Sequence, residues 1–300
     1  MCLIAFAIEA TPACPLLLAS NRDEWWHRPT RPLAAWQTDG GVTVWAGRDA
    51  EAGGTWLGFS QHGRVAMLTN VRPSGPESAP RSRGELPLRW LAGPASVGGW
   101  RDLVASHDPQ AYNGFNLVLG DVTRGSWVWL TNRPPPDAVP AARHDLPPGW
   151  AGRILPPGVY GLSNAHLDTP WPKTVALRDA VHAAVAHSAP SADSPVDADG
   201  YEALLRPLMD RRPAHDAGQD AWAQGLSSAF VHLPTPAYGT RSSLIAHCRR
   251  TPEGLALDLR EWTHAVHPAA APTPVATHWP TDASIQRCFS ISRWGMPTSS

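Results

Sequence analysis

Two apolar runs near the start of the chain, Leu3-Ile4-Ala5-Phe6-Ala7-Ile8 and Pro15-Leu16-Leu17-Leu18-Ala19-Ser20, constrain the fold more than any other segment. Each has strand length and almost no polar interruption, which predicts strands in a sheet covered on both faces. Thr11-Pro12-Ala13 between them supplies turn chemistry, so the two are predicted to pair as an antiparallel hairpin. Such a hairpin returns the tetrapeptide Asn21-Arg22-Asp23-Glu24 to the side of Cys2. Cys2 follows the initiator methionine directly. Removal of Met1 leaves one residue carrying both a nucleophilic thiol and, on its own α-amine, a base; their ordinary pKa values lie near ~8.5 and ~8. The same residues also fit a plainer reading, a buried cysteine opening an apolar strand and a polar turn with a local ion pair.

Further strands are predicted at Val42–Trp45, Thr55–Phe59, Arg64–Asn70, Phe115–Leu119, Trp127–Leu130 and Val159–Asn164. Gly40-Gly41 and Gly53-Gly54 read as turns or bulges, because no helix signal follows either pair. Helices are expected at Gly84–Leu91 and Val97–Ser106, with Pro87 early in its helix where a missing N–H is tolerated. Pro134–Pro157 reads as a long polar loop. From Pro170 the period becomes helical, with Thr174, Leu177, Val181 and Ala184 on one stripe. A Ser/Pro/Asp-rich linker, Ser188–Asp199, leads to a helix around Tyr201–Met209, and Arg241–His247 and Leu255–Leu259 are expected to close the sheet. Residues 1–264 are expected to form a single domain of mixed α and β layers, and the Pro/Ala/Thr-rich residues 265–300 a disordered tail.

A net charge of -1 over 300 residues gives no electrostatic footprint for nucleic acid or an anionic membrane. Nearly all the basic residues are arginine, with Lys173 the only lysine. Four cysteines, Cys2, Cys14, Cys248 and Cys288, are too scattered for a disulfide framework or a zinc site, and a reduced, cytoplasmic protein is expected. The thirteen histidines show no metal spacing. No stretch approaches the roughly 18 to 20 apolar residues that span a bilayer, and the start lacks the basic segment of an export signal. Fifteen tryptophans suit core packing first and an aromatic-lined pocket second.

A set of ordered motifs runs from residue 1 to about residue 262. It comprises Met1-Cys2-Leu3-Ile4, Ala19-Ser20-Asn21-Arg22-Asp23-Glu24, Gly47-Arg48-Asp49, Gly53-Gly54-Thr55-Trp56-Leu57-Gly58 and Leu68-Thr69-Asn70-Val71-Arg72. Ser82-Arg83-Gly84-Glu85-Leu86, Gly114-Phe115-Asn116-Leu117, Gly161-Leu162-Ser163-Asn164, Thr169-Pro170-Trp171-Pro172-Lys173 and Tyr238-Gly239-Thr240-Arg241-Ser242-Ser243 follow. On these motifs the chain resembles the NRDE family, also called transport-and-Golgi-organisation-2-like. It is similar as well to the N-terminal-nucleophile cysteine hydrolases of the bile-salt and penicillin V amidase group. That second resemblance implies an α+β fold, a four-layer α-β-β-α sandwich. It also implies a site at Cys2, Arg22, Asp23, Asn70, Asn164 and Arg241. The amidase group has an Arg-Asn-x-Asp order where this chain has Asn21-Arg22-Asp23-Glu24, so Asp23 and Glu24 both remain candidates for the acidic role.

In that site Cys2 attacks a carbonyl while its α-amine takes and returns the proton. Arg22 is expected to favour the thiolate and Asp23 to hold the α-ammonium. Asn70 is the expected oxyanion donor, and Asn164 orients the amine or the scissile group. Arg241 stabilises charge or clamps a substrate carboxylate. Arg48, Asp49, Glu85, Trp171 and Lys173 are read as structural or pocket-shaping. Two functions stay open. One is an amidohydrolase or acyltransferase that needs no cofactor and acts on a linear amide of a small-molecule substrate. The other, implied by the resemblance, is a non-catalytic carrier of haem or another hydrophobic ligand such as an acyl lipid, although no Cys-x-x-Cys-His haem attachment motif is present.

Overall fold

Residues 2–71, 79–93, 99–134, 146–187, 198–215, 218, 220–264 and 285–296 are described by a computed structural model of the chain. In chain order the strands are β1 (Cys2–Thr11), β2 (Cys14–Trp25), β3 (Thr30–Gln37), β4 (Thr43–Asp49), β5 (Leu57–Ser60), β6 (Arg64–Asn70), β7 (Phe115–Asp121), β8 (Ser126–Thr131), β9 (Ala151–Ile154), β10 (Gly158–Leu162), β11 (His232–Leu233), β12 (Tyr238–Thr251), β13 (Gly254–Thr263) and β14 (Ile285–Trp294). The helices are α1 (Glu85–Ala92), α2 (Trp100–Ser106), α3 (Pro172–His187), α4 (Ala198–Leu208) and α5 (Ala221–Ser227). The chain divides into two compact units. One comprises Met1–Arg28, Pro157–Leu162 and Asp168–Ser292, the other Pro29–Pro156, Ser163–Leu167 and Arg293–Ser300. Each contains a seven-stranded sheet.

The first sheet runs β10-β1-β2-β12-β13-β14, with β11 on β12. β1 and β2 form the expected hairpin, with Ala5 opposite Ala19 and Phe6 opposite Leu18. Alternation divides its two faces. Leu3, Ala5, Ala7, Leu17, Ala19 and Ile245 pack under α3 and α4 through Leu177, Val181, Leu204, Leu205 and Leu208. Each fully buried leucine, isoleucine or valine among them contributes roughly 1.5 to 3 kcal/mol, and each alanine methyl less. The predicted stripe on α3 is therefore the buried one. β12, expected as one of two late strands that close the sheet, is central, because its fourteen residues pair with both β2 and β13.

The second sheet runs β3-β4-β5-β6-β7-β8-β9. Val44, Ala66, Leu68, Leu117, Leu119, Val128 and Leu130 cluster with Leu86, Trp90 and Leu91 of α1 and Trp100, Leu103 and Val104 of α2. Two strands here lack a clean sequence signal. β3 carries Pro32 and a half-exposed pattern, which an edge strand tolerates. β9 lies inside the stretch expected to be a polar loop, and is only four residues long.

The expected tail differs as well: Ile285–Trp294 forms β14 beside β13, where alternating side chains supply a strand period despite the surrounding composition. Residues 265–284 and 297–300 lie outside the described residues, as does most of the Ser188–Asp199 linker. Trp90, Trp100, Trp127, Trp129, Trp150 and Trp262 are buried, so core packing accounts for these tryptophans.

Two motifs that are distant in sequence meet in the second unit. Thr55 N donates to Gly84 O at 3.0 Å, and a methyl on Gly54 would overlap the Gly84 backbone. Gly54→Ala is therefore expected to destabilise the protein by roughly 1 to 3 kcal/mol, read as a lower melting temperature. A pH dependence comes from the first unit. Burial, reinforced by Arg249, holds His247 down at about 4, and burial with Arg211 does the same to His264. Their ordinary value is 6.5, so between pH 6.5 and 4 the unfolded chain binds protons that the native histidines refuse. Stability contributed by these two groups is full above 6.5 and falls as pH drops toward 4. The melting temperature is expected to decline over that window, with a shallower slope in His264→Gln.

Candidate active site

The hairpin register places Cys2 directly opposite Arg22. By alternation both occupy the face turned away from α3 and α4, whereas Leu3 and Asn21 face those helices. Cys2 and Arg22 are buried, and Arg22 Nη2 reaches Glu24 Oε2 at 3.4 Å. Burial pushes the Cys2 thiol up, the chain's terminal ammonium opposes this ahead of any side chain, and the Asp23 carboxylate adds to the rise more strongly than Arg22 opposes it. The expectation that Arg22 favours a thiolate is thus outweighed by desolvation.

Asp23 and Glu24 separate cleanly. Asp23 is 1% exposed, and its Oδ1 accepts the Thr240 hydroxyl at 2.7 Å. Its backbone carbonyl accepts the Tyr238 hydroxyl at 3.1 Å. Glu24 is only partly buried, ties to Arg22, and accepts Trp25 N at 3.0 Å. Burial raises the Asp23 carboxyl, and among the side chains that pull it back Lys173 comes ahead of Thr240 and Arg22.

Asn21 is a residue to which the sequence assigned no role. Its Nδ2 donates to Leu208 O at 2.8 Å and Ala229 O at 3.0 Å, and its Oδ1 accepts the Ser243 hydroxyl at 2.6 Å. Ser243 Oγ lies 2.9 Å from His264 Nε2. Because that hydroxyl gives its proton to Asn21, the neutral imidazole must carry its own on Nε2. A polar residue one step beyond an apolar strand, with its parity toward the helices, is the signal that marks Asn21.

Arg241 Nη1 donates to three backbone carbonyls, of Trp25 at 3.0 Å, Trp26 at 3.1 Å and Arg28 at 3.2 Å. It buttresses the chain that leaves β2. Trp25 in that segment lies 6.0 Å from Trp222 and 5.1 Å from Tyr238, between ring centroids. Burial lowers the Arg241 pKa, with Arg22 reinforcing and Glu24 opposing.

Asn70 and Asn164 belong to the second unit. Asn70 ends β6, and Asn164 Nδ2 donates to its backbone carbonyl at 2.9 Å. Beneath them is a buried network the sequence did not single out. Thr69 Oγ1 donates to Ser163 O at 2.6 Å, while Asn116 Nδ2 donates to Ala165 O at 2.6 Å and Thr69 Oγ1 at 3.1 Å. Trp129 Nε1 donates to Asn116 Oδ1 at 3.1 Å. Thus Thr69 and Asn116 fix the residues on both sides of Asn164. An asparagine in the middle of the apolar run Phe115–Leu119 is the signal that was available.

The remaining motif residues have structural partners. Arg48 Nε donates to Gly53 O at 3.3 Å and its guanidinium lies 5.0 Å from the Trp36 ring centre. Asp49 Oδ1 accepts Glu51 N and Ala52 N. Glu85 accepts the Tyr112 hydroxyl and pairs with Arg81 at 2.6 Å. All four cysteines are free thiols. Among the described residues no group of three or more His, Cys, Asp or Glu side chains gathers as for a metal, and no helix is long and apolar enough to cross a membrane.

Solved structures similar to the chain include a conjugated bile acid hydrolase from Clostridium perfringens, 9% identical over 85% of this chain and 91% of that one, with a TM-score of 0.46. Another is a Caenorhabditis elegans N-acylethanolamine-hydrolyzing acid amidase ortholog, 9% identical over 81% and 91% of the two chains, with a TM-score of 0.37. Sequence relatives are nearer. The Mus musculus Transport and Golgi organization 2 homolog is 35% identical over 58% of this chain, which spans 60% of the length of that relative. The Homo sapiens homolog is 31% identical over 82% of this chain and 87% of its own length. The profile of the family described as Transport and Golgi organisation 2 matches residues 1–257. The chain belongs to the Transport and Golgi organisation 2 family.

Proposed function

We propose that the protein, once Met1 is removed, is an N-terminal cysteine amidohydrolase or acyltransferase acting on a linear amide. The fold proposed to carry this chemistry is the four-layer α-β-β-α sandwich implied by the resemblance. One observation carries the reading: the hairpin register that sets Cys2 opposite Arg22, with Asp23 buried next in the chain. It favours catalysis over the carrier function, because a carrier has no use for a buried thiol placed beside a guanidinium.

Since burial keeps the thiol protonated, the proton must leave as the bond forms. Cys2 Sγ attacks the amide carbonyl carbon while its proton passes to the α-amine. The resulting ammonium is held by Asp23, which its deep burial and its Thr240 hydrogen bond favour over Glu24. The tetrahedral oxyanion is assigned to Asn70, by the resemblance, and Asn164 to orienting the scissile group. The ammonium then protonates the leaving nitrogen, the carbon–nitrogen bond breaks and a thioester remains. Water or an acceptor amine attacks that thioester with the α-amine again taking the proton, the carbon–sulfur bond breaks, and the thiol is restored. Arg241 is assigned to holding the Trp25–Arg28 backbone, given its three carbonyl partners.

The test joins intact-mass analysis with a panel of N-acyl amines and N-acyl amino acids, following release of the amine. The mature mass is expected to lack Met1, and Cys2→Ala is expected to lower turnover by roughly 10³-fold or more. An active preparation that retains Met1, or a Cys2→Ala protein with full turnover, overturns the mechanism.

A further inference from the structure

Lys173, the only lysine in the chain, lies in the first turn of α3 and is buried. Such a position is unfavourable twice over. A buried ammonium needs a partner, and the amino end of a helix repels positive charge. Its Nζ donates to Leu226 O at 2.7 Å and Ser228 O at 3.3 Å, at the carboxyl end of α5 where carbonyls lack helical partners. The following residues continue toward the site. Ser228 Oγ lies 2.7 Å from Gly225 O and 3.1 Å from Phe230 O, Asn21 Nδ2 holds Ala229 O, and Val231 exchanges two bonds with Thr240, N to Oγ1 at 2.9 Å and O from N at 2.8 Å. Thr240 Oγ1 is the same hydroxyl that donates to Asp23. The segment from Leu226 to Val231 is therefore gripped by Lys173 at one end and joined to Asp23 at the other.

We propose that Lys173 is the positioning residue of Asp23: its ammonium fixes the Leu226–Val231 segment to which the Thr240–Asp23 hydrogen bond is tied, and supplies the positive charge against which that carboxylate is buried. The role rests on the reading of Cys2 and Asp23 given above, and assigns Lys173 no contact with substrate. The charged and titratable groups that act on Asp23 are the chain's terminal ammonium, Cys2 of β1, Arg22 of β2 and, from α3, Lys173, while Glu24 bonds to Arg22. Arg22 is also tied to Glu24, and among the side-chain cations Lys173 acts on Asp23 ahead of Arg22. Burial drives the carboxyl toward its neutral form, and a neutral Asp23 cannot hold an α-ammonium.

Nuclear magnetic resonance reads both partners without any substrate. A single lysine gives a single resonance in full-length protein made with [15Nζ]lysine, and [13Cγ]aspartate reports Asp23 once Asp23→Asn identifies its signal. Lys173→Gln keeps an amide donor for the carbonyls but removes the charge. In that variant the Asp23 signal is expected to titrate at higher pH, and Lys173→Arg is expected to restore it toward the native profile. In Asp23→Asn the lysine is expected to lose its proton at lower pH than in the native protein. An Asp23 titration unmoved in folded Lys173→Gln overturns the proposal. If Lys173→Gln does not fold, the Asp23→Asn arm decides, and an unchanged lysine titration overturns it. Where turnover is present, the acid limb of kcat/KM is expected to move to higher pH in Lys173→Gln, because a carboxylate harder to ionise is lost earlier as pH falls. A shifted pair of resonances together with full activity in Cys2→Ala keeps the Lys173–Asp23 coupling and discards the hydrolase reading, so the two failures are separable.

Discussion

The pairing of β1 with β2 is the constraint on which the first unit depends. Leu3, Ala5, Ala7, Leu17 and Ala19 all pack against the α3 and α4 side, and a one-residue slip would turn one strand's set to the opposite face. That demand of the core also fixes the chemistry. If odd-numbered residues of the hairpin face the helices, Cys2 and Arg22 are obliged to share the opposite face as a cross-strand pair. The site geometry at this end of the sheet is a by-product of hydrophobic burial, and it needs no separate device to bring the thiol and the guanidinium together.

Around that pair, buried side chains are bonded mainly to backbone. Asn21, Lys173 and Arg241 all satisfy carbonyls at the ends of elements or in the connections between them: Leu208, Ala229, Leu226, Ser228, Trp25, Trp26 and Arg28. Thr69 and Asn116 do the same for Ser163 and Ala165 in the second unit. Each removes a desolvation cost that an unpaired buried carbonyl would carry, roughly 1 to 3 kcal/mol apiece. The second unit's Gly54 and Gly84 solve a related problem with no side chain at all, by letting two backbones approach closely enough to bond.

Much of this was legible before any coordinates. The hairpin, β4 to β8, α1 to α4 and the Cys2–Arg22 neighbourhood all follow from apolar runs and turn residues, because local pattern and tertiary role agree there. The failures have physical causes. β3 and β9 are edge strands at opposite ends of their sheet, where a proline or a short exposed pattern is tolerated and so leaves no signature. β14 was hidden by the composition of the chain before it. The centrality of β12 is a long-range pairing that no window of sequence reports. Around Cys2, the bonding of each side chain was not readable. Arg241 reads equally well as a substrate clamp or a buttress until its carbonyl partners are known, and the division of work between Asp23 and Glu24 depends on which one is buried.

The tetrapeptide Asn21-Arg22-Asp23-Glu24 has a consequence for how such chains can vary. Its alternate members answer to different neighbours. Asn21 is bound to the α4 end and the α5–β11 connection and Asp23 to Thr240, while Arg22 stands opposite Cys2 and bonds to Glu24. It is two interleaved messages of period two, written in one stretch of four letters. Substitution can edit either message alone, but inserting or deleting a single residue upstream in β2 would swap their audiences, sending the guanidinium under the helices and the amide beside the thiol. Sequence drift in this region is therefore confined to replacement, and length is the property the strand cannot change.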